Sequence, residues 1–327
     1  MSRQALSLVV SWLVFPAFCG CALLPHQVDY SKYTSKEVND FGVVYEQAGN
    51  LREAERMYAK ALAKDPANHV AASNLANVYY QQRKFAKAAS CYQKALAIHP
   101  EYVPALNNLA NIRIETGDYT RADKDLEKAL ELAQTPEEKR AVYLTLASLN
   151  QSRGDNRGAK EWLERAKALK PLTVLSDVPF FRQSQYDCGP AALACVYNFL
   201  GVKQDPQTIA DRVYSRKLKG SLNLQMLIDA RQQGLTATMY SGSFEQIKQA
   251  IDKKIPLILM LSNLPDTSDE PESGDSLHYV VVVGYEGEDL SAIIVHDGYE
   301  PFKRYGRETL ERTWSATGYC TIEIRAF

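Results

Sequence analysis

Between residues 35 and 171 the apolar positions fall at helical spacing, and the pattern returns after 34 residues, the distance from Pro66 to Pro100. The first unit carries Phe41-Gly42, Tyr45, Gly49, Ala54, Tyr58 and Ala61 before Pro66. The second carries Leu75-Ala76, Tyr79, Ala88, Tyr92 and Ala95 before Pro100. A third runs through Leu109-Ala110, Gly117, Ala122, Leu126 and Ala129 and ends without a proline. A fourth, displaced by extra residues near Glu137, has Leu146-Ala147, Gly154, Ala159, Leu163, Ala166 and Pro171. Apolar residues three and four apart make one stripe on a helix, so each unit reads as two amphipathic helices. Small residues mark close helix crossings, and large ones fill between them. After Pro171 the pattern changes. Thr236–Tyr240, Ile255–Leu261, Tyr279–Tyr285, Ala292–His296 and Gly318–Ile324 are rich in β-branched and aromatic residues and read as strands. Helices are expected at 189–200, 206–214, 223–233, 243–252 and 307–315. The chain is therefore expected to be α+β, with an all-α domain over 35–171 and a mixed domain over 172–327.

The period and positions of the first half resemble the tetratricopeptide repeat. That resemblance implies helix pairs that bury one another's apolar faces and wind into a superhelix with a concave surface. These positions specify packing, so the surface is either a docking groove for a peptide or partner protein or a spacer. Cys91, beside Tyr92 in a repeat helix, is expected to be a core thiol.

The N-terminus has a different character. Arg3 precedes an uncharged run from Ala5 to Cys21. Its apolar part is shorter than the ~20 residues that span a bilayer and suits a signal-peptide core. The run ends Phe18-Cys19-Gly20-Cys21-Ala22, which resembles the bacterial lipobox. That resemblance implies removal of the segment before Cys21, lipidation of Cys21, a tether over 22–34, and an outer-membrane lipoprotein facing the periplasm. A cleaved secretory signal and an uncleaved anchor are the alternatives.

Composition narrows the partners. Hydrophobic residues make up 46% and charged residues 24% of the chain, with a formal net charge of -1. Such a balance lacks the basic stripe that nucleic acid requires, so no nucleic-acid partner is expected. Of the 6 cysteines, Cys91, Cys188, Cys195 and Cys320 would remain after processing, too dispersed to be a disulfide framework. Cys188 and Cys195 on one helix would stand ~10 Å apart along its axis, beyond the reach of a disulfide. Neither C-x-x-C nor H-E-x-x-H occurs, so no metal and no organic cofactor is expected.

The chemistry concentrates in SQYDCGPAALACVYNFLG, Ser184 to Gly201. Pro190 suits the first turn of a helix, which places Cys188 at its N-terminus. Unpaired amides and the macrodipole there favour a thiolate, the reactive form of cysteine. Gly189 is read as leaving room for a substrate against the backbone. A nucleophilic cysteine needs a base, and the second half contains His278 and His296. If the hairpin after HYVVVVGY turns on Gly287-Glu288, paired residues sum to 575 and His278 lies opposite Asp297. A carboxylate there would hold the imidazole in one tautomer. His296 then points to the other face as a structural or solvent-facing residue. The Cys188 N–H and the side-chain amide of Gln183 are candidate oxyanion donors; Gln185 is the rival to Gln183, but sits close to the cysteine along the chain. Cys195 is expected in the core. Leu264 to Ser276, LPDTSDEPESGDS, carries five acids and no base; it is either a lid or acidic lip, or a solvated loop.

VPFFRQSQYDCGPAALACVYNFLG, followed by HYVVVVGY and IIVHDG, resembles the papain-like peptidases of the bacteriocin-leader-processing, or double-glycine peptidase, family in its stand-alone branch. The resemblance implies a Cys-bearing helix packed on an antiparallel sheet. It implies Cys188 as nucleophile, His278 as general base and acid, Asp297 as orienter and Gln183 as oxyanion donor. Position 182, where leader-processing members carry the glutamine, is Arg, and the turn lacks the usual proline. The expected activity is peptide-bond cleavage through a thioester, with the repeats recruiting a protein substrate or partner. The competing readings are a cell-wall amidase or transglutaminase-type acyl transferase, and a non-catalytic assembly lipoprotein that binds peptides.

Overall fold

The computed structural model describes residues 30–47, 49–183, 188–215, 220–262 and 277–326. Cys19 and Cys21, Gln185 and the acidic segment 264–276 lie outside the described residues. Residues 1–34 form one unit, of which Tyr30–Lys32 is a 3-10 turn, and residues 35–327 form a second.

Eight helices in the second unit pair as the repeats require: α1 (Ser35–Gln47) with α2 (Leu51–Lys64), α3 (His69–Gln81) with α4 (Phe85–Ile98), α5 (Val103–Glu115) with α6 (Tyr119–Leu132), and α7 (Pro136–Ser152) with α8 (Asn156–Leu169). The small and large apolar residues of the repeat pattern are the ones buried, from Ala54 and Tyr58 through Ala76, Tyr92 and Ala95 to Ala110, Leu126 and Val142. Cys91 is only half-buried. Within three of the four pairs the connection is Gly followed by Asn or Asp, and the Asn50, Asp118 and Asp155 side chains accept the N–H of Glu53, Arg121 and Gly158. In the second pair the connection is Arg83-Lys84. Arg83 holds φ at 55°, and Lys84 provides no side-chain cap. A side chain in the left-handed region costs about 1–2 kcal/mol, and a missing cap about 1 kcal/mol.

The remainder is built on a sheet of β1 (Leu172–Val174), β4 (Thr236–Ser241), β5 (Leu257–Leu261), β6 (His278–Glu286), β7 (Ala292–His296), β8 (Lys303–Gly306) and β9 (Cys320–Arg325), with every pairing antiparallel. The order is β4-β9-β5-β6-β7-β8, and β1 takes the end of β6 beyond β5. β2 (Tyr214–Ser215) and β3 (Gly220–Ser221) make a separate two-stranded ribbon. Strand alternation sends Val281 and Val283 of β6 to one face, with Ile258 and Ile322. That face is covered by α9 (Cys188–Phe199), α10 (Pro206–Val213) and α11 (Asn223–Gln232), joined by Ala159, Leu163 and Ala166 of α8. Val280 and Val282 go to the other face, under α12 (Phe244–Asp252) and α13 (Arg307–Ser315). A terminal repeat cannot leave its apolar face in water, and here the sheet domain covers the face of the fourth unit.

The β6–β7 register corrects the expectation. Glu286 pairs with Ala292, so the loop is the five residues Gly287 to Ser291. The register shifts at Val282/Gly284, and Val281 pairs with His296. The bulge moves Tyr285 to the face of Val280 and Val282. Three extra loop residues and one bulge change the pairing sum from 575 to 577, so His278 has no ladder pairing with Asp297. β7 ends at His296, and Asp297 begins the turn that follows.

Candidate active site

Cys188 opens α9, and Ala191 to Tyr197 of the same helix are buried against the sheet. The thiol is thus held at a helix N-terminus by a buried helix, while Cys188 itself stays partly exposed. Gly189 serves packing: a Cβ there would lie 2.7 Å from Ser221 Cβ. The space read from sequence as substrate room belongs to β3.

His278 is the first residue of β6, the strand on which α9 lies, and its imidazole and the Cys188 thiol act on one another's charge. Burial alone would raise the thiol. The hydrogen bond and charge of His278, with backbone hydrogen bonds from Tyr279 and Gly189, outweigh it and bring the thiol below its ordinary value. Burial likewise opposes the imidazolium, and the bond and charge of Cys188, followed by Asp297, override it and raise His278. Each group thus favours the charged form of the other.

Asp297 reaches His278 through its main chain. His278 Nε2 donates to the Asp297 carbonyl at 2.7 Å, which leaves Nδ1 as the ring nitrogen not engaged by the turn. The carboxylate, expected on the imidazole, is engaged elsewhere. It accepts the N–H groups of Tyr299 (2.9 Å) and Glu300 (2.7 Å) and the Lys303 ammonium (2.6 Å). Burial would push this carboxyl up, but Lys303 holds it well below the usual carboxylate range. Its side chain therefore fixes the turn, and the turn presents the carbonyl. At a pairing sum of 577 the residue opposite His278 is Tyr299, and that ring stacks on the imidazole, 5.9 Å between centroids and 15° from parallel.

Gln183 joins the same group. Its N–H donates to the Gly298 carbonyl at 2.7 Å, its side chain acts on Tyr299, and its buried Oε1 has no hydrogen-bond partner. Gly298 has φ 82°, and a Cβ there would stand 2.1 Å from Gln183 Oε1, so only glycine fits. His296 is structural. It is buried, bonded to the Val178 carbonyl through Nε2 and to the Phe302 N–H through Nδ1, and burial lowers it to about 4. Cys195 is buried and pushed up to about 12 by desolvation, and burial raises Cys91 and Cys320 as well. Low thiol pKa is thus confined to Cys188 among the described cysteines. Among the described residues, no cluster of three or more His, Cys, Asp or Glu is placed to hold a metal ion.

Sequence reasoning missed Lys303, Tyr299 and the repeat residues behind them. Arg83 lies over the Tyr299 ring, 3.4 Å to its centroid, and pairs with Glu115 at 3.6 Å. Glu115 also pairs with Arg182 at 3.1 Å. The Tyr80 hydroxyl donates to Glu300 at 2.9 Å, and burial at that contact raises Glu300 to about 7. The available signal was the repeat itself, since Arg83 occupies the place of Gly49, Gly117 and Gly154.

Residues 175–322 match the Peptidase_C39 like family, and residues 39–103 and 101–171 match tetratricopeptide repeat families. The chain is a Peptidase_C39-like domain preceded by tetratricopeptide repeats, in the α+β arrangement of a papain-like peptidase. It is similar to the peptidase domain of Streptococcus ComA, a bifunctional ABC transporter of a quorum-sensing pathway, at 20% identity over 45% of this chain and 98% of that one, with a TM-score of 0.36. It is similar to the first repeat domain of Spaghetti (RPAP3) bound to an HSP90 peptide, at 30% identity over 35% of this chain and 94% of that one, with a TM-score of 0.31. MamA is similar at 17% identity over 41% of this chain and 77% of its own, with a TM-score of 0.36. No curated protein matches the chain.

Proposed function

We propose that this chain is a lipid-anchored cysteine peptidase of the cell envelope whose repeats recruit a protein substrate or partner. A thiol at a helix start and an imidazole at the start of the strand that helix packs on, with Cys188 lowered and His278 raised by each other, is the observation that carries this reading. Cys188 Sγ attacks the scissile carbonyl carbon. The Cys188 N–H and the Gln183 amide take the developing oxyanion, each donor worth on the order of 3 kcal/mol. Imidazolium Nδ1–H gives its proton to the leaving amine as the C–N bond breaks, which leaves a thioester and a neutral imidazole. A water then adds to the thioester while His278 takes its proton. The C–S bond breaks, the carboxylic acid leaves, and the thiolate–imidazolium pair is restored. Throughout, the Asp297 carbonyl keeps Nε2 protonated and leaves Nδ1 as the ring nitrogen not engaged by the turn. The uncharged run to Cys21, with Phe18-Cys19-Gly20 before it, supports lipidation at Cys21 and a periplasm-facing position. Among the described residues no helix is long and apolar enough to cross a membrane.

Short peptide thioesters test the chemistry without knowledge of the natural sequence. Mass spectrometry of the intact protein should find an acyl group that forms on Cys188 and is lost with time. His278→Ala should slow acylation about 10³-fold or more, and Cys188→Ala should abolish it. Equal acylation in His278→Ala, or labelling of Cys91 and Cys320 in place of Cys188, would contradict the reading.

A further inference from the structure

The turn at Arg83 departs from its three counterparts in a direction that local folding does not explain. Gly49, Gly117 and Gly154 hold φ at 76°, 79° and 81°, and each precedes an Asn or Asp that caps the next helix. Arg83 adopts the same left-handed backbone without being glycine, and Lys84 replaces the cap. Backbone strain retained at one repeat, where three others avoid it, points to a gain elsewhere. That gain lies at the far end of the side chain. The Arg83 guanidinium sits 3.4 Å from the centroid of the Tyr299 ring. The same ring stacks on His278, and the residue before it, Gly298, is packed against the Gln183 side chain and accepts the Gln183 N–H at 2.7 Å. Glu115, with a side chain 1% exposed, ties Arg83 to Arg182, the neighbour of Gln183. Tyr80, one helical turn before Arg83, holds Glu300 at the end of the turn that presents the Asp297 carbonyl. Three repeat residues thus converge on the segment that positions the imidazole.

We propose that Arg83 is a positioning residue of the catalytic centre, so that the repeats complete the active site as well as offering a docking surface. The guanidinium pins the Tyr299 ring, and the ring sets the plane of His278 and the place of Gln183. This rests on the peptidase reading above. A cation seated on a ring in a desolvated place binds it more firmly than at an exposed surface, and small angular losses at a catalytic pair are amplified in rate. The titratable groups acting on the pair are Asp297, Tyr279 and Tyr299, and behind them Lys303, Glu300 and Arg182 from the sheet domain and Arg83 and Glu115 from the repeats surround Asp297 and the Tyr299 ring.

The test is the rate of Cys188 alkylation by iodoacetamide from pH 4.5 to 9.5, read by mass spectrometry separately from the other thiols. The full chain is compared with Arg83→Gly, Arg83→Lys, Tyr299→Leu and His278→Ala. Arg83→Gly restores the residue the other turns use, and Glu115 keeps its pairing with Arg182, so the variant should remain folded at 25 °C, checked by its thermal melt. Its alkylation midpoint should nevertheless move up toward that of free cysteine, with the rate at pH 6 falling about tenfold. Tyr299→Leu, which leaves the repeat turn untouched, should reproduce the shift, and Arg83→Lys should restore part of the loss because it keeps the cation but not the flat fork. A wild-type midpoint in a fully folded Arg83→Gly protein would overturn the proposal while leaving the peptidase reading intact. A wild type that already alkylates like free cysteine, with no change in His278→Ala, would remove the peptidase reading and this proposal with it.

Discussion

At the scale of single residues the site works by mutual stabilisation of charge. Cys188 would be a weak nucleophile as a buried thiol, and His278 would be neutral as a buried imidazole; each reverses the other's burial effect. Asp297 divides its functions between its carbonyl, which orients His278, and its carboxylate, which anchors the turn to Lys303. The carboxylate is 3% exposed, so removal of its cation leaves a buried charge with only two N–H groups to hold it. Lys303→Met should cost on the order of 3–5 kcal/mol in denaturant unfolding at pH 7. The sign with pH follows from a lowered folded pKa. The contribution of the pair is complete above the unfolded carboxylate value of ~4, and is lost as pH falls toward the folded value of about 2. The gap between wild type and variant should therefore close across that acid window. A gap that stays constant down to pH 2 would assign the loss to packing instead.

At the scale of elements, what was legible in the sequence was what periodicity and local chemistry control. Helical spacing in the first half marked eight helices because each repeat buries the same small and large residues, as at Ala54, Tyr58 and Ala61. The valine run of β6 declared itself because both faces of that strand are buried. The short strands β1 and β8 escaped notice. Three or four residues give no period to read, and each exists because β6 or β7 offers it an edge. The hairpin register was misread for a related reason. A two-residue loop was the simplest turn compatible with Gly287-Glu288, but Leu290 tucks into the core with φ 53°, and that burial sustains the longer loop. The Cys188–His278 contact was legible from the helix start and the strand start. The carbonyl contact of Asp297 was not, because a main-chain acceptor has no residue signature. The partners contributed by the repeats were hidden because Tyr80 and Glu300 are 220 positions apart.

At the scale of the whole molecule the repeats and the sheet domain form one compact unit. The turns of the first three repeats each touch the sheet domain: Arg312 donates to the Gln47 carbonyl, Tyr80 to Glu300, and Arg182 to Glu115. The fourth repeat adds Arg140, paired at 2.9 Å with Glu286, a carboxylate with no exposed surface that also meets Arg304 at 3.0 Å. Glu286→Ala leaves Arg140 with little water and no partner, a loss on the order of 3–5 kcal/mol. Repeat helicity and the fluorescence of Trp314, read in a chain with Trp12 and Trp162 replaced by Phe, should melt together without the Glu286 substitution and separate with it; coincident, unshifted transitions in the Glu286→Ala protein would contradict a shared unit. A packed joint of this kind would let a repeat turn bear on the His278 imidazole, because strain and position pass through packed side chains with little compliance.

The most direct test of the central claim is the protonation of His278 itself, followed by nitrogen NMR of the chain carrying labelled histidine, with 5 histidines to assign. His278 should be imidazolium at pH 7 in the wild type. In Cys188→Ala, where no thiolate remains to hold the charge, its titration should fall below the ordinary value of ~6.5. A His278 that is neutral at pH 7 and titrates identically with and without the Cys188 sulfur would contradict it.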